Sequence, residues 1–154
     1  MTYHVKMLGA SDMPMANHPW SEREINQEVR FPPKPKPVHI SKGDELLYYA
    51  VGGYKRVFAS ARVEAPPALN DVHENPVIAK RWPYASPVSL RPEVKLEYVS
   101  SGPLLADIGP GLQEQVGHGV SDFEIGRPQF EKALDLLRKA KVEETRKLKT
   151  GWRP

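Results

Sequence analysis

"SKGDELLYYAVGGYKRVFASARVEAPP", residues 41–67, is the stretch from which the fold can be read. Lys42-Gly43-Asp44 makes a turn, and Asp44 is a residue whose side chain caps nearby backbone N–H groups. "ELLYYAV" is apolar on both faces, as a central strand would be. Gly52-Gly53 suits a two-residue hairpin turn, because glycine adopts positive φ at no steric cost. The return strand, "YKRVFASARVEA", alternates. Val57, Ala59, Ala61 and Val63 lie on one face, and Arg56, Phe58, Ser60, Arg62 and Glu64 on the other. Pro66-Pro67 ends it.

Upstream, "YHVKMLGA" (3–10) reads as a first strand loosened at Gly9. "PWSEREI" carries an S-x-x-E capping box at Ser21 and Glu24, with Trp20 and Ile25 spaced as a hydrophobic staple, so a short helix to about Val29 is expected. "RFPPKPKPVHI" alternates Pro and Lys and reads as an extended surface connector.

Downstream, "ALNDVHENP" reads as a polar loop leading to "KRWPYASPVSL" (80–90). "SPVSLRPEVKLEYV" predicts one bent strand, or two, broken at Pro92. The segment 100–125 is loop-rich, with a helical turn near Leu112–Val116 and a last strand or turn at Phe123–Ile125. A final helix starts at Pro128, a residue suited to the first helical position. Its Phe130, Ala133, Leu134 and Leu137 recur at i, i+3, i+4 and i+7, and this stripe fades beyond Ala140. The expected organisation is one domain over residues 1–140, followed by a basic helix end and tail at 141–154. The fold class is α+β, mainly β: a small curled antiparallel β-barrel with flanking helices.

The bulk numbers agree with one domain. The 154 residues are 40% hydrophobic, enough for a single core, and sixteen prolines argue for many short elements over a helical bundle. No apolar run approaches a membrane span, so no membrane partner is expected, and the first residues lack the apolar stretch of a secretory signal. Cysteine is absent, which excludes disulfides and thiolate metal sites and fits a cytoplasmic location. The net charge of +3 is compatible with a nucleic-acid partner without requiring one.

The chemistry-bearing motifs are sparse. The histidines at 4, 18, 39, 73 and 118 are not paired at ligand spacing, so no metal is expected. No nucleophile elbow or phosphate-binding fingerprint occurs, and no cofactor is expected. Asp122 and Glu124 flank Phe123 and share a face. The aromatics carry more. Trp20, Tyr48, Tyr49, Trp82 and Tyr84 lie in or beside the barrel elements, where each serves either packing or a stacked ligand. Stacking is worth roughly 1–3 kcal/mol per base, so one or two exposed rings suffice. Lys80 and Arg81 beside Trp82 could hold a phosphate next to such a base.

The ordered pieces "KGDELLYYA", a Gly turn, "VFASARVEAP", "RWPY", "PVSL", "GVSDFEI" and "QFEKAL" together resemble the EVE domain. That family belongs to the PUA-like superfamily with the YTH and ASCH domains. The resemblance covers residues 3–138 and rests on order and spacing. It implies a PUA-like curled barrel that binds a modified base, flipped or unpaired, in an aromatic pocket; for the EVE branch this is modified cytosine in DNA, in bacterial or phage settings. Carried over residue by residue, it implies base contacts from Ser11, Trp20, Tyr49, Trp82, Tyr84 and Ser121. Nucleic-acid backbone contacts fall to Arg56, Lys80, Arg81 and His118, the last standing where relatives carry a cation. The principal expectation is a non-enzymatic reader of modified DNA. RNA binding by the same barrel, a hydrolase like some ASCH domains using Lys6 or Lys42 with Glu45 or Glu64, and a protein-interaction module using the Pro-Lys connector remain open beside it.

Overall fold

The computed structural model describes residues 1–18, 20, 25–117 and 119–154. The capping box at Ser21 and Glu24, and His118, lie outside the described residues. Among the described residues, seven strands form a single curled sheet: β1 (Tyr3–Leu8), β2 (Glu28–Phe31), β3 (Glu45–Ala50), β4 (Val57–Val63), β5 (Ala68–Leu69), β6 (Tyr84–Leu90) and β7 (Asp122–Ile125). Three helices accompany them: α1 (Pro76–Arg81), α2 (Leu105–Ile108) and α3 (Arg127–Lys149).

The spatial order is β2-β6-β4-β3-β1-β7, with β5 also on β6, and the sheet bends into a half-barrel. The ladders are antiparallel except β1–β3, which is parallel and pairs Lys6 with Tyr48. β3 is central, as its apolar run predicts, and all six of its residues are buried. β4 is buried at every position but Arg62. Phe58 and Ser60, expected on a polar face, are fully buried as well, and the Phe58 ring lies 6.1 Å from that of Tyr48.

Several local expectations give way. The two-residue turn at Gly52-Gly53 is a longer loop, in which Gly52 and Lys55 both have positive φ. Strand pairing begins at Glu28, so no helix reaches Val29. The polar loop before Lys80 holds both β5 and α1; Asn75 caps the helix by accepting the Val77 N–H at 3.0 Å. Pro92 ends the strand in a 3₁₀ turn, Pro92–Val94.

The boundary expected at Ala140 falls inside α3, which continues unbroken to Lys149. Glu144 on this helix is buried, and its carboxylate accepts the Glu97 N–H at 2.7 Å and the Tyr98 N–H at 3.0 Å. Trp152 then meets Tyr98 edge-on, with ring centroids 6.1 Å apart. At its other end α3 seats Phe130 against Tyr3, 4.9 Å between centroids. This covers the sheet face that carries Glu45 and leaves the Lys6 face to the interior of the curl. Among the described residues, no helix is long and apolar enough to cross a membrane.

Candidate functional site: an indole-roofed cleft over a buried lysine

The end of β1 opens one side of a narrow cleft. At Gly9 the chain takes φ +90°, and a Cβ there would stand 3.1 Å from the Met13 O and Met15 N atoms. Only glycine makes this turn without strain. The segment then folds back, with Ala10 and Met13 exchanging both backbone hydrogen bonds at 3.0 and 3.1 Å. Ser11 and Asp12 stand exposed at the tip.

The opposite side is built by α1. Trp82 ends this helix, donating its N–H to the Ile78 O at 2.8 Å. Its indole meets that of Trp20 with centroids 5.9 Å apart and planes tilted by 47°. Arg81 lies over the Trp82 ring, 4.9 Å from its centroid. The Arg81 Nη1 also bonds both carboxylate oxygens of Asp12 at 3.0 Å, joining the two rims. That hydrogen bond holds the exposed Asp12 carboxyl below its ordinary range.

Beneath the indoles the walls are Leu8, Met15, Ile25 and Ile78, and the floor carries Lys6 and Arg30. Lys6 is fully buried, and its ammonium donates to the Met7 O at 2.7 Å and lies 5.0 Å from the Phe31 ring centroid. Burial lowers its pKa to about 8, against the opposing pull of the Asp122 charge. Arg30 is a strut. Its Nη1 donates to the Asn70 and Trp82 carbonyls at 2.9 and 3.0 Å, and its Nη2 to the Val72 carbonyl at 2.9 Å. The cavity holds about 20 Å³, room for a single water molecule. A planar ring enters only if the indoles part.

Of the residues expected at the site, Trp20, Trp82 and Arg81 come together, with Ser11 on the adjoining turn. The others among the described residues do not line the cleft. Tyr49 is buried on the sheet face away from Lys6, since its β1 partner is Met7 and neighbouring strand residues point oppositely. Tyr84 faces another groove, with the Lys36 ammonium 5.9 Å from its ring. Ser121 gives its carbonyl to the Met7 N–H at 2.9 Å and its hydroxyl to Asp122. Arg56 is spent on the Gly102 carbonyl at 2.8 Å. Lys80 is exposed on α1, off the cavity.

The lysine–glutamate pairing considered for a hydrolase does not form around Lys6. Glu45 projects from the opposite face and bonds Arg62 at 3.1 Å and Arg91 at 2.9 Å. Asp122 and Glu124 part company as well: Glu124 is exposed, whereas Asp122 accepts from His39 at 2.7 Å and lies 3.4 Å from the His4 Nδ1. Burial pushes the Asp122 carboxyl up, but these two histidines and the Lys6 charge together hold it below its ordinary value. Among the described residues, no group of three or more His, Asp or Glu is arranged to hold a metal ion.

Arg30 escaped the reading of the sequence, and Lys6 entered it only as a candidate partner for a glutamate in a hydrolase. The one available signal was a lysine flanked by Val5, Met7 and Leu8 in a strand. A cation there is either at the surface or held at an internal site, and alternation alone does not distinguish the two.

No protein-family model and no curated protein matches the sequence. Solved structures do resemble the fold. The NMR structure of Rpa0253 from Rhodopseudomonas palustris superposes with a TM-score of 0.54 at 9% identity, covering 88% of this chain and 92% of that one. A crystal structure of a Pseudomonas putida protein gives 0.52 at 15% identity, covering 88% and 99%. At these identities the likeness concerns architecture alone.

Proposed function

We propose that this chain is a non-enzymatic, PUA-like nucleic-acid-binding module that takes up a single modified base, in DNA by preference, between Trp20 and Trp82. The observation that carries the reading is the pair of indoles in contact, tilted by 47° to each other, over an apolar cleft with a cationic floor. The two indoles offer a ring stacking surfaces, and the Lys6 ammonium beneath them offers hydrogen-bond donors. Stacking contributes roughly 1–3 kcal/mol per base, comparable with the few kcal/mol needed to extrude a base from a duplex. The resemblance to EVE domains in the order of the sequence elements supports the same reading. Arg81 sits at the rim, where releasing Asp12 would free it for a phosphate.

The test is tryptophan fluorescence and affinity with oligonucleotides that carry plain or modified cytosine at one position. Binding of a modified strand should quench the indoles, and Trp82→Ala should abolish it. Equal and negligible affinity for every strand, DNA and RNA alike, would remove the proposal.

A further inference from the structure

We infer that Lys6 makes the floor of this cleft selective for a ring presenting a hydrogen-bond acceptor, best of all a carboxylate or carbonyl, and hostile to a ring presenting an amino group. The inference rests on the base-binding reading above and concerns which chemistry that site accepts.

The donors and acceptors around the cavity are lopsided. A lysine ammonium has three N–H donors and no acceptor. One of the three is occupied by the Met7 carbonyl, and among the described residues the Lys6 ammonium has no other hydrogen-bond partner. Arg30, the other polar side chain at the floor, is also donor-only, and its N–H groups are already directed to Glu28, Asn70, Val72 and Trp82. The Trp20 N–H is a donor as well, turned toward the Pro14 carbonyl at 3.4 Å. No carboxylate, amide or hydroxyl side chain lines the cavity among the described residues. Among the described residues, the remaining lining is hydrocarbon, thioether and indole side chains with the backbone of Gly9.

A ring pushed into this space therefore meets free N–H groups on a buried cation. An amino edge would face them donor to donor, leaving polar groups on both sides unpaired in a dry site, the arrangement that discriminates most strongly between ligands of similar shape. A carbonyl edge pairs with Lys6. A carboxylate substituent pairs with it through a charge-assisted bond, the strongest option. Asp122, across the β1–β7 ladder from Lys6, helps keep the amine charged for this purpose.

The experiment compares cytosine, 5-methylcytosine and 5-carboxycytosine, each both as the free nucleoside and at one position of an otherwise identical oligonucleotide, by fluorescence titration of the wild type and of Lys6→Met. Lysine to methionine conserves volume and removes only the charge and donors. The wild type should favour the 5-carboxy form by about tenfold or more over the other two, and Lys6→Met should lose that preference while still binding all three weakly. Should Lys6→Met not fold, Lys6→Gln serves in its place, with the preference for carboxylate again expected to collapse. A preference that survives in the variant, or binding of all three forms alike in the wild type, overturns the role of Lys6 and leaves base binding standing. Nucleosides that bind with the expected preference, with oligonucleotides binding no better, uphold Lys6 and overturn the nucleic-acid reading. No binding of any form overturns both.

Discussion

Lys6 and Asp122 stand opposite one another in the β1–β7 ladder, a buried cation and a carboxylate on the same face of the sheet. Asp122 is shared, since the His39 Nε2 reaches it at 2.7 Å. The lysine is thus stabilised by a partner that is itself engaged elsewhere, and its burial outweighs the attraction.

That imbalance has a pH signature. The Lys6 pKa is lowered in the folded protein from 10.5 to about 8, so between these values the unfolded chain binds a proton that the folded chain has released. Stability linked to this group therefore rises with pH across that window and is least favourable below it. The span is worth roughly 3 kcal/mol, at about 1.4 kcal/mol per tenfold change in proton affinity. Lys6→Met should be more stable than the wild type near neutral pH, and its advantage should shrink as pH climbs from about 8 to about 10.5. Urea denaturation of both proteins across that range measures it; a constant gap would show that the amine is not desolvated.

Arg30 predicts a failure of conservative replacement. Its fork reaches three backbone carbonyls, on Asn70, Val72 and Trp82. A lysine cannot span them. Arg30→Lys should lose about 1–2 kcal/mol with the charged-donor hydrogen bonds it cannot remake, and should shift the tryptophan emission to longer wavelength as Trp82 loosens. Unchanged emission would mean that Trp82 is held by its ring contacts alone.

Glu144 should matter far more than its position near the end of a basic helix suggests. Glu144→Gln replaces one accepting oxygen by an amide nitrogen, which opposes either the Glu97 or the Tyr98 N–H. The expected loss is roughly 1–3 kcal/mol in chemical denaturation. Glu143→Gln, one residue away on the exposed side, should leave the denaturation midpoint nearly unchanged, because its pairing with Arg146 is solvent-screened. Equal losses at the two positions would contradict the clamp.

Two glycines separate steric from conformational need. A Cβ on Gly102 would lie 1.8 Å from the Val57 carbonyl oxygen, a backbone atom with nowhere to move. Gly102→Ala should destabilise by roughly 3 kcal/mol, at the upper end of overpacking losses. Gly111 faces open space but has φ +80°, so Gly111→Ala should cost only about 1 kcal/mol. Thermal melts of the pair test the ranking, and a reversed order would refute it.

The parts of this fold that local pattern dictates were legible. The apolar run 45–50 and the alternation of 57–63 gave the central pair of strands, and the stripe Phe130, Ala133, Leu134, Leu137 gave α3. What hydrogen bonds between distant segments decide was not. Nothing near Tyr49 signals that its ring lies under the far side of the sheet, and nothing near Glu144 signals two backbone donors on residues 97 and 98. The site divides the same way. Trp82, noticed as an aromatic beside cations, and Trp20, noticed as half of a hydrophobic staple, do meet, whereas Arg56 and Lys80, chosen by charge, lie elsewhere. Lys6 was singled out only as a hydrolase candidate and not as the floor of a cleft, because in a strand only the neighbours across the ladders say which face is inside.

The position of β1 bears on how the chain acquires its shape during synthesis. This strand is flanked by β3 on one side and by β7 on the other, so its second edge stays open until residues 122–125 have left the ribosome. Completion of the sheet, and with it the sealing of the lysine away from water, must then be a late event, and a chain stalled before that point presents a sticky, unpaired border to its neighbours.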